Sequence, residues 1–124
     1  MLLCDDAPSF RALVRYTLAD DPDLVVVGEA ADGEAGLEAV AALQPDVVLL
    51  DISMPRLDGL DAIGAMLERS PGSRIVALSG FSAGDMAEAA LERGAHAYVE
   101  KGTGARAIRD AVRAAAAAVP RPPA

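Results

Sequence analysis

The apolar positions of this chain come in short blocks separated by Asp, Gly, Pro and Ser. The densest is Val47-Val48-Leu49-Leu50, an unbroken run closed by Asp51 and followed by Ile52-Ser53-Met54-Pro55-Arg56-Leu57-Asp58-Gly59. A continuous apolar run bounded by turn residues predicts a strand buried on both faces. Four more blocks predict strands: Leu2 to Cys4, Leu24 to Val27, Arg74 to Leu78 and Ala95 to Val99. The segments between them repeat with helical spacing. Phe10, Leu13, Val14, Thr17 and Leu18 mark a first helix entered through Pro8. Leu37, Val40 and Ala41 mark the inner face of a second, from Gly33 to about Leu43, with Asp32 as its cap and Gly36 inside it. Leu60, Ile63 and Leu67 mark a third, broken at Ser70-Pro71-Gly72-Ser73, and a fourth runs from about Asp85 to Arg93 before Gly94. The last spans Gly104 or Ala105 to Ala118, with Ile108, Ala111, Val112, Ala115 and Val119 inward and Arg106, Arg109 and Arg113 outward. Strands alternating with helices predict an α/β domain, a parallel sheet covered on both faces. The residues 120–124 are proline-rich and read as a tail or the start of a linker, which leaves 1–119 as one domain.

Composition narrows the function. The chain has 124 residues, 52% of them hydrophobic, enough for a core of its own. Its net charge is −8, which argues against direct nucleic-acid binding by this domain and suits a cation. Cys4 is the one cysteine and has no disulfide partner within the chain. No apolar run approaches the roughly 20 residues that span a bilayer, and no signal peptide is read, so the expected location is the cytoplasm.

In a parallel sheet the C-terminal strand ends lie at one edge. Asp5-Asp6, Asp51, Ser79 and Lys101 therefore converge. Three carboxylates against one ammonium leave a charge that a divalent cation neutralises. Carboxylate and carbonyl oxygens suit Mg²⁺, with Mn²⁺ as an alternative. Beside such an ion Asp51 becomes a candidate nucleophile toward phosphorus, with Lys101 and Ser79 placed to meet the phosphoryl oxygens.

Taken together, the acidic pair Asp5-Asp6, Asp51 after Val-Val-Leu-Leu, Met54-Pro55, Asp58-Gly59, Ser79-Gly80 and Tyr98 before Lys101 resemble the receiver domain of two-component response regulators. The resemblance implies a flavodoxin-like (βα)5 three-layer sandwich with a five-stranded sheet of order 2-1-3-4-5. It implies that Asp51 accepts a phosphoryl group from a sensor histidine kinase. Asp6, Asp51 and the backbone carbonyl of Ser53 would be direct Mg²⁺ ligands, and Asp5 an outer one through water. Ser79 would be the switch hydroxyl and Tyr98 the aromatic switch. The face of helix four, strand five and helix five would then move, and it is also where a homodimer would form. The wording Asp21-Pro22-Asp23-Leu24 through Ala31-Asp32-Gly33 is most similar to regulators with a LuxR-type helix-turn-helix output. Arg56 replaces a frequent Gly. Gly102 replaces a frequent cis proline, so a trans bond is expected after Lys101. The resemblance also implies that Ser53 and Phe81 would flank the path of the hydrolytic water.

Other readings stand beside this one. A Mg²⁺-dependent phosphohydrolase with an aspartyl-phosphate intermediate usually has an acid where Ser53 stands. A stand-alone receiver would act by docking. A flavodoxin would need a phosphate-cradling loop where Asp5-Asp6 lies. Asp5-Asp6 as a mere cap fits poorly, because Pro8 makes Ala7 the cap position. Tyr98 reads equally as a core aromatic, and the arginines at 106, 109 and 113 as a solvated helix face.

Overall fold

The computed structural model describes residues 1–53, 59–80 and 84–118. The features named above at Met54, Pro55, Arg56, Asp58, Phe81, Val119 and the tail lie outside these residues. The elements are β1 (Leu2–Cys4), α1 (Pro8–Leu18), β2 (Gly28–Ala30), α2 (Gly33–Leu43), β3 (Val47–Asp51), α3 (Gly59–Arg69), β4 (Arg74–Ser79), α4 (Gly84–Glu92), β5 (Ala97–Glu100), a 3-10 turn (Lys101–Thr103) and α5 (Ala105–Ala118). The strands form one parallel sheet of order β2-β1-β3-β4-β5, as expected.

Strand side chains alternate between faces, so each central strand feeds two cores. Cys4, Val48, Leu50, Ile75 and Ala77 meet Val40 of α2, Ile63 and Met66 of α3 and Ala90 of α4. Leu3, Val47, Leu49, Val76 and Leu78 meet Val14 and Leu18 of α1 and Ile108, Val112 and Ala115 of α5. Helices on both faces leave every residue of β3 buried, which is why its sequence is an unbroken apolar run. β1 is short but central, and Leu2, Leu3 and Cys4 are all buried.

Gly36 holds α2 close to the sheet. A Cβ there would stand 3.0 Å from Met66 Cε and 3.2 Å from Cys4 Sγ. The helix-propensity cost of that glycine, about 1 kcal/mol relative to Ala, is the condition for this approach. Gly94 ends the α4 segment at φ +108°, where a Cβ would meet Leu67 Cδ1 at 2.7 Å. Gly94→Ala should therefore destabilise the fold by about 1–3 kcal/mol. A lowered midpoint in urea denaturation checks this.

Several sequence expectations need correction. The second strand is not Leu24–Val27 but Gly28–Ala30. The register pairs Leu2 with Gly28, so the segment before Gly28 reaches only the first residue of the chain: the Met1 amino group donates to Val25 O, and Val27 N donates to Met1 O at 2.9 Å. Leu24 is buried, whereas Val25 and Val27 are 62% and 51% exposed, so this is an extended edge segment that pairs with Met1 ahead of the regular strand. Ala41 and Leu13 face solvent, because α2 and α1 turn narrower stripes to the sheet than their apolar residues suggest. β5 begins at Ala97, although His96 N already bonds Ile75 O at 2.8 Å. Arg113 is not simply solvated: its Nε lies 2.5 Å from Oδ2 of the buried Asp21, tying α5 to the turn after α1.

Candidate metal and phosphoryl site

The C-terminal edge of the sheet assembles the site. Asp5 follows β1 and is buried, and its backbone N–H donates to Ala30 O of β2 at 3.0 Å. Its Oδ1 accepts the Ala7 N–H at 2.8 Å. Asp5 thus also ties down the entry to α1, whose cap position Ala7 has no side-chain acceptor. Asp6, next along the chain, is exposed. Asp51 ends β3 and is buried. Ligand oxygens of Asp5, Asp6 and Asp51 all lie within 4.8 Å of one another.

Lys101 reaches this cluster from the end of β5. Its Nζ is 2.6 Å from Asp5 Oδ2 and 3.0 Å from Asp51 Oδ2, and it sits 4.4 Å from the centre of the Phe10 ring. The ring face attracts the ammonium, so the first turn of α1 helps to hold Lys101 over the carboxylates. Burial on its own would lower the Lys101 pKa. The close contacts with the Asp5 and then the Asp51 carboxylates outweigh it, and the pKa is raised. The lysine therefore stays cationic.

Ser53 follows Asp51 in the loop. Its N–H and its Oγ–H both donate to Asp51 Oδ1, each at 2.8 Å. That double contact from Ser53 is a feature sequence reasoning missed, having given the residue a metal-binding carbonyl and a place beside the hydrolytic water but no bond to Asp51. Ser79 ends β4 and is buried, one position beyond Leu78, which pairs with Asp51 in the β3–β4 register. Tyr98 lies on β5 opposite Ala77, half-buried against the core of α2, α3 and α4. Asp5, Asp6, Asp51 and Lys101 are thus gathered at one place, with Ser79 at the same sheet edge and Tyr98 further along β5. No cis peptide bond occurs among the described residues.

The donor set suits a hard divalent cation. It is made of oxygens, and it concentrates three carboxylates against one ammonium. Asp5 Oδ2 is buried without an aligned hydrogen bond, despite the close Lys101 ammonium. Such an oxygen retains a lone pair for a metal-bound water or another donor.

A family model described as the response regulator receiver domain matches residues 1–113. The chain belongs to that family. This receiver is 41% identical over 101 residues to the nitrate/nitrite response regulator protein NarL of Escherichia coli strain K12, covering 82% of the chain and 47% of that protein. It is 35% identical to the transcriptional regulatory protein LiaR of Bacillus subtilis, covering 98% of the chain and 57% of LiaR. The chain thus spans about half the length of these relatives. Among solved structures, the signal receiver domain of NarL from Mycobacterium tuberculosis superposes with a TM-score of 0.86 at 35% identity, over 94% of each chain. The receiver is a signalling switch of two-component systems, and no helix among the described residues is long and apolar enough to cross a membrane.

Proposed function

We propose that this receiver takes a phosphoryl group onto Asp51 and, in response, alters the face formed by α4, β5 and α5. The observation that carries the reading is the buried Asp51 carboxylate within 4.8 Å of the Asp5 and Asp6 ligand oxygens and 3.0 Å from the Lys101 ammonium. Asp6, Asp51 and the Ser53 carbonyl would hold Mg²⁺ directly, and Asp5 through water. When bound, the ion supplies positive charge for the phosphoryl oxygens and aligns them for in-line transfer.

The chain's own groups do the rest. An Asp51 carboxylate oxygen attacks phosphorus. The P–N bond of the donor phosphohistidine breaks, and the imidazole leaves with the electron pair and takes up a proton. Lys101 is cationic and close enough to pair with the new phosphoryl group. The Ser79 hydroxyl would donate to a phosphoryl oxygen, and Tyr98 would follow Ser79 inward. Water later attacks phosphorus, the acyl phosphate P–O bond breaks with its electrons going to the Asp51 carboxylate, and orthophosphate is released. In this sense the domain catalyses its own phosphorylation and dephosphorylation. The donor would be a cytoplasmic sensor histidine kinase. The output would be transcription, in keeping with the name of LiaR, through a helix-turn-helix domain outside these residues, with 1–119 as the receiver unit and a homodimer through the α4-β5-α5 face.

Intact-mass measurement with acetyl phosphate tests the reading. The expected result is a gain of one phosphoryl group in the presence of Mg²⁺ and none after chelation. Absence of any gain, with acetyl phosphate and with a cognate kinase alike, overturns it.

A further inference from the structure

Next to the acidic pair, the structure joins three residues that the chemistry above does not use. Arg11 of α1 donates from Nη1 to the backbone carbonyl of Asp5. Its Nε donates to Glu29 Oε1 of β2 at 2.8 Å. Arg15, one helical turn on, donates from Nε to the other Glu29 oxygen at 2.7 Å. Glu29 is held below its usual pKa, chiefly by the Arg15 hydrogen bond, which acts against the opposing effect of burial and is joined by the smaller contribution of the Arg11 bond. The Arg11 side chain is only 18% exposed, while its partner Glu29 stays at the surface, so the guanidinium is the covered end of the pair.

The carbonyl that Arg11 grips belongs to the Asp5–Asp6 peptide. Its orientation sets the direction from which the Asp6 side chain leaves the backbone. The N–H of Asp5 is already fixed to Ala30 O, the residue after Glu29. Arg11 and Ala30 together close a ring from β2 through α1 to the β1–α1 turn: the Asp5 N–H is bonded to β2 directly, and its carbonyl through Arg11 and Glu29. We infer that Arg11, oriented by Glu29, is a positioning residue that sets the Asp5–Asp6 peptide for divalent-cation binding. This rests on the reading that Asp5, Asp6 and Asp51 hold Mg²⁺.

Charge and geometry make opposite predictions here. Arg11 is a cation beside a cation site. If it acted through charge alone, removing it would tighten Mg²⁺ binding. If it acts by position, removing it weakens binding, since groups that orient metal ligands matter strongly for affinity. Titration calorimetry with Mg²⁺ alone on the whole chain, well below its thermal midpoint, separates the two. Arg11→Gln should weaken Mg²⁺ binding about tenfold, the low end for loss of a ligand-orienting partner. Arg11→Lys keeps the charge, but one ammonium cannot bridge Asp5 and Glu29 as the guanidinium fork does. It should fall between wild type and Arg11→Gln, and it carries the test if Arg11→Gln does not fold. Affinity equal to or tighter than wild type in a folded variant overturns the positioning role and leaves the function reading intact. No Mg²⁺ binding by the wild-type protein overturns both.

Discussion

Asp51→Asn should lose the Mg²⁺-dependent phosphoryl gain, with the rate falling on the order of 10³-fold or more, as expected when a nucleophile is removed. The amide has neither the charge nor the basic oxygen to attack phosphorus. The variant should still fold. Asn can accept the Ser53 N–H and Oγ–H bonds through its own carbonyl oxygen, so the loop after β3 keeps its anchor. On the other side the contact changes sign. Lys101 Nζ donates to Asp51 Oδ2 at 3.0 Å, and an amide nitrogen there would place donor against donor. Lys101 should then rest on Asp5 alone, which it already meets at 2.6 Å. Mg²⁺ affinity should fall as well, because one of three clustered carboxylates is gone. Intact mass with acetyl phosphate reads the first effect and calorimetry with Mg²⁺ the last. A variant that gains the phosphoryl group at the wild-type rate would move the acceptor away from Asp51.

Leu50→Ala, one residue earlier, should damage stability instead of chemistry. Leu50 is 0% exposed and packs with Val48, Ile63, Met66 and Ile75 in the core under α2 and α3. Truncating such a leucine costs about 2–5 kcal/mol, the lost transfer energy plus a cavity that the neighbours fill only in part. The sheet centre has little freedom to collapse, since β1 and β4 flank β3 on both sides. Against a domain stability of about 5–15 kcal/mol, this is a large fraction. Urea denaturation followed by circular dichroism measures it. The folded fraction should still accept the phosphoryl group, because the Asp51 contacts come from Ser53 and Lys101. A cost below about 1 kcal/mol would mean that the site repacks far better than buried leucines usually do.

The two substitutions show how β3 divides its work. The strand places Asp51, and its interior residues hold the sheet that does the placing. Lys101 and Phe10 then meet over that carboxylate from the far edge of the sheet and from the first helix. The charge balance at the site is therefore a property of three separate elements.

The sequence by itself determined the fold class, the strand order implied by the receiver resemblance, and the gathering of Asp5, Asp6, Asp51 and Lys101. It could do so because a strand buried on both faces leaves an unbroken apolar run, and parallel strands deliver whatever follows them to one edge. It also marked Asp32 as the cap of α2, where the side chain accepts the Ala35 N–H at 2.8 Å, since that bond is local. Only the tertiary structure decided the rest. The start of β2 depended on where β1 offers partners, which no property of Leu24–Val27 encodes. The Asp21–Arg113 pair joins positions far apart in the chain. The grip of Arg11 on the Asp5 carbonyl depended on how α1 rotates against β2, and that rotation is set by packing Val14 and Leu18 into the core. Local pattern fixed which residues would reach the sheet edge. Packing between elements fixed which groups would hold them there.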